Sequence, residues 1–335
     1  MDAVVLDEYG SDPELRTVDE PELKPNEALI SVEYCSLNNR DRVICSGQYG
    51  GISLPYVLGS DLAGRVIEVG EAVDQFDPGD RVVRYPLVSC GSCRHCRAGE
   101  VSTCEEFGVL DGGLAERAAV DEERLVALPN DVSLKDASCL PVAYLTAWRM
   151  LWTRGALRAG ESALVIGGSG GVGVAAVQLA SAMGATVTAV SSTPEYCDRL
   201  ETLGATHAVN RHETDFADRA QELTDGRGVD LTIDHVGEAT IPDSIAATAN
   251  GGRVVLCGRT TGQLPQVDIH ELFHRQLDLR GSTLGTPTEF CDLVMFLDEQ
   301  TISPPVDRTI PLMDVVNGFE VLREGEAFGK ILVAP

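Results

Sequence analysis

Residues 162–194, SALVIGGSGGVGVAAVQLASAMGATVTAVSSTP, restrict the possible folds more than any other stretch of the chain. An apolar run from Ala163 to Ile166 gives way to Gly168, Gly170 and Gly173 in the pattern G-x-G-x-x-G. A helix starting near Val172 and a second strand, Thr186 to Val190, are expected to follow. Strand, glycine turn, helix and strand in that order make a βαβ unit. The first glycine permits the tight turn, the second lets a pyrophosphate approach the backbone, and the third lets the helix pack closely on the strand. Ser169, Gly171 and Val172 complete the turn, where unpaired N–H groups at the helix N-terminus favour an anion without any basic side chain. The expected ligand is a dinucleotide. The stretch is long and nearly uncharged, but its central glycines, Gln178 and several hydroxyls argue against a membrane span.

An acidic residue at the end of the second strand would grip the adenine ribose of NAD. Ser191, Ser192 and Thr193 stand there instead. With no carboxylate to repel a 2'-phosphate and hydroxyls to bond it, NADPH is the expected cofactor. A ribose held by backbone alone is the alternative. Further along, Val229 to Ile233 and Arg253 to Cys257 read as strands. Ligands sit outside the carboxyl ends of parallel strands, so Val236 and Gly258 are expected to face the cofactor, with His235 a loop residue beside it rather than an acid or base.

The 335 residues suit two domains, and the charge balance is extreme: 52 acidic against 26 basic residues, a net charge of -26. Lys24, Lys135 and Lys330 are the only lysines. A carboxylate-rich surface repels nucleic acid and anionic lipid, so no nucleic-acid or membrane partner is expected, and the composition resembles that of proteins from salt-loving organisms. The N-terminus, MDAVVLDEYG, shows no basic region followed by an apolar one, so a cytoplasmic location is expected. In that compartment a tight cysteine cluster reads as metal binding or catalysis.

From Met1 to about Leu128 the pattern is of short strands punctuated by turns, with Ala3 to Leu6, Glu27 to Val32, Arg65 to Val69 and Arg81 to Val83 as examples. Within it stands Cys90-x2-Cys93-x2-Cys96-x7-Cys104. Four thiols at this spacing can close a tetrahedron around one zinc and leave no position for water or substrate, so the expected site is structural. Beyond Leu128, Ser133-Leu134-Lys135-Asp136 opens an expected helix through Ala137 to Ala143. A helix from Pro287 to Asp298 and a strand from Lys330 to Val333 end the chain.

The cysteine lobe, the run Gly59 to Gly70 as G-x-D-x-x-G-x-V-x-x-V-G, and the G-S-G-G-V-G turn together resemble the medium-chain dehydrogenase/reductase superfamily. The resemblance spans essentially the whole chain. It implies an α/β protein with a GroES-like, β-rich catalytic domain at residues 1–140 and 285–335, the zinc lobe at about 88–106, and a Rossmann domain at 141–284. Zinc alcohol dehydrogenases of this superfamily hold a second, catalytic zinc by cysteine, histidine with neighbouring glutamate, and cysteine. Here those places hold Asn38, Gly59-Ser60-Asp61 and Val142. Leu37-Asn38-Asn39-Arg40-Asp41 and Gly47-Gln48-Tyr49 look instead like the quinone oxidoreductase and enoyl reductase branch, which works without an active-site metal. That branch suggests Asn38 to polarise the acceptor oxygen, Tyr49 to donate a proton, and Thr146 to pack beside the nicotinamide, and Lys330 resembles the family's ending, on the cofactor side. Arg211, after Val209 and Asn210, occupies the place where related reductases often put a tyrosine near the 2'-phosphate and is a candidate to meet it, a simple surface arginine being the alternative.

The expected activity is therefore NADPH-dependent reduction of a quinone or an activated C=C bond in a small-molecule substrate, by a homodimer or homotetramer with one structural zinc. Two other readings stay open: a zinc-type alcohol or sugar dehydrogenase with unusual ligands, drawing on Cys35, Cys45 and Asp61, and a non-catalytic NADP-binding protein.

Overall fold

The computed structural model describes residues 1–335 and divides into two units, one of Met1–Ala143 with Gly285–Pro335 and one of Tyr144–Leu284. The first unit is built on a seven-stranded sheet. Its strands run Leu125–Ala127, Arg81–Arg84, Ala63–Val69, Glu27–Ser36, Lys330–Ala334 and Val306–Pro311, and Arg117–Asp121 also pairs with Glu27–Ser36. The last strand of the chain returns to pair antiparallel with that central strand, Leu332 opposite Ser36 and Val333 opposite Cys35. That register carries Lys330 to the start of the loop beginning at Leu37, whose N–H donates to the Ile331 carbonyl at 2.9 Å. Val4, Leu6, Ile30, Leu58, Leu62, Leu114, Phe319 and Val333 fill the core against the sheet. Each such side chain contributes about 1.5–3 kcal/mol by leaving water.

The second unit is a six-stranded, all-parallel sheet in the order His207–Asn210, Thr186–Ser191, Ser162–Ile166, Val229–Asp234, Thr248–Leu256 and Asp278–Gly281. Helices cover its faces, so the central strand Ser162–Ile166 is buried at every position. That is why its sequence reads as a continuous apolar run rather than an alternation. The helix after the glycine turn, Gly171–Ala182, presents Val174, Ala175, Val177 and Leu179 to the interior. No helix is long and apolar enough to cross a membrane.

The expected helix from Ala137 to Ala143 is broken in two. An α-helix, Leu134–Ala137, is capped by the Ser133 side chain, and a wider π-turn, Leu140–Tyr144, follows. Pro141 has no N–H to give the helical ladder, and the next N–H, that of Val142, is diverted to Asp61 Oδ1 at 3.0 Å. A polar demand in the first unit thus overrides local helix propensity.

Candidate functional site

Asp61 is the hub of a buried polar cluster in the first unit. Its carboxylate is fully buried and accepts from Ser36 Oγ at 2.6 Å, Asn38 Nδ2 at 2.9 Å and the Val142 N–H at 3.0 Å. Lys330, 2% exposed, lays its ammonium in the same cluster, 2.7 Å from Asn38 Oδ1, 3.0 Å from the Leu37 carbonyl and 3.4 Å from Asp61 Oδ2. Three acceptors exhaust the three donors of an ammonium. Lys330 therefore cannot serve the cofactor as its place in the sequence suggests; it is the counter-ion of Asp61.

The same accounting revises Asn38. Its Nδ2 donates to Asp61 and to the Ser36 carbonyl at 3.3 Å, while Oδ1 accepts from Lys330. Both N–H bonds are spent inside the protein, so Asn38 has none left to polarise a substrate oxygen. It braces the loop instead.

Beside this cluster lies a second one that sequence reasoning missed. Arg40 grips Asp111 through two parallel bonds, Nη1 to Oδ1 at 2.6 Å and Nη2 to Oδ2 at 2.8 Å, and also donates to Ser60 Oγ at 2.7 Å. Tyr56 donates to Asp111 Oδ2 at 2.8 Å, and burial followed by that carboxylate raises its phenol above the usual range. The Arg40 guanidinium carbon sits 4.6 Å from the centre of the Tyr49 ring, a cation–π contact that fixes the half-buried tyrosine. Asp111 opens an Asp-Gly-Gly turn, a weak hint on its own. Its partner is 71 residues away.

Asp41 is buried with Oδ2 accepting the Asn38 N–H at 2.8 Å and Oδ1 without a partner. Burial, then repulsion from Asp111, pushes its carboxyl up to about 7. A proton is thus held more tightly in the folded chain than in the unfolded one, where an aspartate titrates near 4. The resulting stability is complete below pH 4 and is lost as pH rises toward 7. Asp41→Asn is neutral throughout, so its melting temperature should gain on the parent's between pH 5 and pH 8. The difference should reach on the order of 2–4 kcal/mol. Equal gaps at the two pH values in thermal melts would contradict the assignment.

The cysteine lobe is closed by the paired strands Leu87–Val88 and Gly108–Val109. All four thiols are free, and their Sγ atoms stand 3.5 Å (Cys93–Cys96 and Cys90–Cys104), 3.9 Å (Cys90–Cys96) and 4.0 Å (Cys93–Cys104) apart. Four sulfurs each about 2.3 Å from one zinc in tetrahedral array must be about 3.8 Å apart. Backbone N–H groups of Ser92 and Cys93 lower the Cys90 thiol to about 6, while, against the Cys90 N–H, burial and the Cys90 and Cys96 thiols raise Cys104 to about 11. His95 accepts from Arg94 Nε at 3.1 Å and stays outside the set. The four cysteines are the one group of three or more His, Cys, Asp or Glu side chains whose donor atoms converge. Cys35, Cys45 and Asp61 make no such group. Cys35 is fully buried, and that burial followed by the Asp61 charge holds its thiol well above the usual range.

In the second unit two of the motif's glycines, Gly173 and Gly170, have different reasons to lack a side chain. A Cβ on Gly173 would lie 2.1 Å from the Gly167 carbonyl oxygen, so close packing of helix on turn demands its absence. A Cβ on Gly170 would meet nothing nearer than 3.7 Å, and its φ of −77° suits any residue. The protein itself does not require that glycine; an approaching ligand does. Gly170→Ala should therefore melt like the parent yet bind a nicotinamide dinucleotide at least tenfold more weakly, whereas Gly173→Ala should lose about 1–3 kcal/mol or more of stability. Calorimetric titration with NADH and NADPH and thermal melts separate the two, and unchanged dinucleotide binding by Gly170→Ala would contradict the ligand's place.

Two buried polar atoms flank this turn without partners: Ser191 Oγ at the end of Thr186–Ser191, and His235 Nε2 just past Val229–Asp234. The first closes, and the second follows, a strand adjoining the central one. They fit a ligand laid across the turn, and Ser191 fits its adenine-ribose end. Ser192 is half-buried beside it, and the exposed Arg211 is tied by its N–H to the Ser191 carbonyl at 2.9 Å. Ser169, Gly171 and Val172 line the turn and helix start, and Val236 and Gly258 occupy the loops after their strands. Thr146 is buried in the helix Leu145–Arg149 of the second unit, whereas Asn38 and Tyr49 belong to the first.

Residues 24–130 match the alcohol dehydrogenase GroES-like domain, and residues 171–299 match the zinc-binding dehydrogenase domain. Among curated relatives, an acryloyl-coenzyme A reductase of Metallosphaera sedula is 32% identical over 345 residues, covering 99% of each chain. Among solved structures, an NAD-dependent alcohol dehydrogenase superposes with a TM-score of 0.95 at 34% identity over 100% of both chains. The crotonyl-CoA carboxylase/reductase AntE in complex with NADP superposes with a TM-score of 0.92 at 28% identity, covering 100% of this chain and 94% of that one.

Proposed function

We propose a function from one premise: this chain belongs to the medium-chain dehydrogenase/reductase superfamily and is an NAD(P)-dependent oxidoreductase with a zinc-binding cysteine lobe. Within that superfamily it is an NADPH-dependent reductase of an activated C=C bond, and its active site works without a metal. The observation that carries this reading is the Asp61 cluster. Where zinc-dependent relatives place metal ligands, this chain sets the Lys330 ammonium against Asp61 and Asn38, so a protein cation already meets the buried carboxylate. Asn38, Ser60 and Val142 add no thiolate or imidazole, the donors that zinc prefers. The acryloyl-coenzyme A reductase and the NADP-bound crotonyl-CoA carboxylase/reductase support an enoyl thioester as substrate class and NADP as cofactor.

A bound NADPH supplies the hydride. The chain's own groups do the rest. The glycine turn and the helix Gly171–Ala182 offer backbone N–H groups to its diphosphate, and Ser191, with Ser192 and Arg211 adjacent, meets the 2'-phosphate end. In the first unit, Asp111 holds Arg40 and Arg40 holds the Tyr49 ring, which orients the tyrosine hydroxyl to deliver the proton that a reduced C=C needs.

A second reading, alcohol oxidation, rests on the likeness to the NAD-dependent alcohol dehydrogenase. A kinetic screen separates the two. Crotonyl-CoA and acryloyl-CoA should drive NADPH oxidation, with simple alcohols giving no NADP reduction. Alcohol turnover with inert enoyl thioesters would reverse the assignment. The carboxylate excess makes molar KCl the appropriate medium.

A further inference from the structure

The turn that carries His235 is unusually well anchored. Asp234, 1% exposed, accepts four hydrogen bonds: Oδ1 from the N–H groups of Val236 at 2.9 Å and Gly237 at 3.1 Å, and Oδ2 from Thr240 Oγ1 at 2.7 Å and Ser244 Oγ at 2.8 Å. A carboxylate so committed has no role left in chemistry; it locks residues 234–237. The neighbouring loop is equally constrained, since a Cβ on Gly258, whose φ is +103°, would stand 2.8 Å from the His235 carbonyl oxygen. This scaffold lays the imidazole along the glycine turn. Its Nε2 would lie 3.2 Å from a Cβ on Gly167 and its Cε1 3.8 Å from one on Gly170. Nε2 is buried and has no hydrogen-bond partner in the protein. Burial lowers the imidazole's pKa against the opposing pull of Asp234 and the Gly167 backbone, which keeps the ring neutral: one ring nitrogen carries a proton, the other is an acceptor, and Nε2 has one hydrogen bond still to make.

A buried polar atom without a partner costs free energy, and proteins keep few of them unless a ligand completes the bond. Sheet order says which part of the ligand that is. The strand on one side of the turn, Thr186–Ser191, ends where the adenine ribose is held in dinucleotide-binding folds of this kind. His235 follows the strand on the other side, Val229–Asp234. We propose that His235 Nε2 makes a hydrogen bond to the ribose-phosphate on the nicotinamide side of a bound dinucleotide and so fixes the reactive half of the cofactor. This inference rests on the dinucleotide reading and assigns that site a recognition residue.

The test is calorimetric titration of the parent, His235→Ala and His235→Gln with two probes, NADPH and its adenine-side fragment adenosine 2',5'-bisphosphate. His235→Ala should bind NADPH about tenfold more weakly and hold the fragment within about twofold of the parent. His235→Gln, whose side-chain amide reaches a similar place and both donates and accepts, should recover most of the loss. Equal NADPH affinity in parent and His235→Ala would overturn the proposal and leave the dinucleotide reading intact. Equal weakening of both probes would overturn it too, since that is the mark of a distorted turn. A parent that binds neither probe would remove the dinucleotide reading itself.

Discussion

Lys330→Met is expected to destabilise the first unit by about 3–5 kcal/mol, because it leaves the Asp61 charge buried with only neutral donors around it. The substitution keeps the length of the side chain and its apolar stem, so packing is nearly conserved and the missing ammonium accounts for the effect. The Leu37 carbonyl and Asn38 Oδ1 lose their partner at the same time. Adding Asp61→Asn should recover a substantial part of the loss, since an uncharged amide no longer needs a counter-ion. Denaturant titration of both variants measures this directly. If Lys330→Met unfolds like the parent, or if Asp61→Asn makes it worse, the ion pair is not what holds the loop.

Tyr49→Phe should lower enoyl reduction by on the order of 10²-fold with little change in stability, the usual contribution of a general acid. The ring would still stack on Arg40, so the substitution removes the hydroxyl alone. Quinones, which take up protons from solvent, should be reduced nearly as fast by the variant as by the parent. Steady-state rates with crotonyl-CoA and with a quinone make the comparison. An equal loss on both acceptors would show that Tyr49 shapes the pocket rather than delivering a proton.

How far the sequence foretells these features depends on how local they are. The glycine turn and the cysteine lobe are legible because each packs its chemistry into fewer than twenty residues, at spacings that the ligand's geometry dictates. The Asp61 cluster is not local. It gathers residues 36, 38, 61, 142 and 330 through the pairing of the last strand with the central one, and nothing near Lys330 in sequence announces a buried carboxylate. Its scarcity is the one available signal: with only three lysines in a chain this acidic, each invites an explanation. Reading Lys330 as a cofactor residue followed the family ending and missed the register that buries it. The donor role expected of Asn38 failed for a related reason, because an amide's free hydrogens can be counted only once its neighbours are known. The π-turn at Leu140–Tyr144 was hidden the same way; Pro141 warned of a break, but the acceptor that captures the Val142 N–H lies 81 residues away.

The central claim is that the chain carries one structural zinc and reduces its acceptor without a second. Zinc content and NADPH-dependent turnover of crotonyl-CoA, measured on the same purified sample before and after exposure to a chelator mild enough to spare the four-cysteine site, test it most directly. The account predicts about one zinc per chain and turnover that the chelator leaves unchanged. Two zincs per chain, with activity lost as one of them is removed, would contradict it.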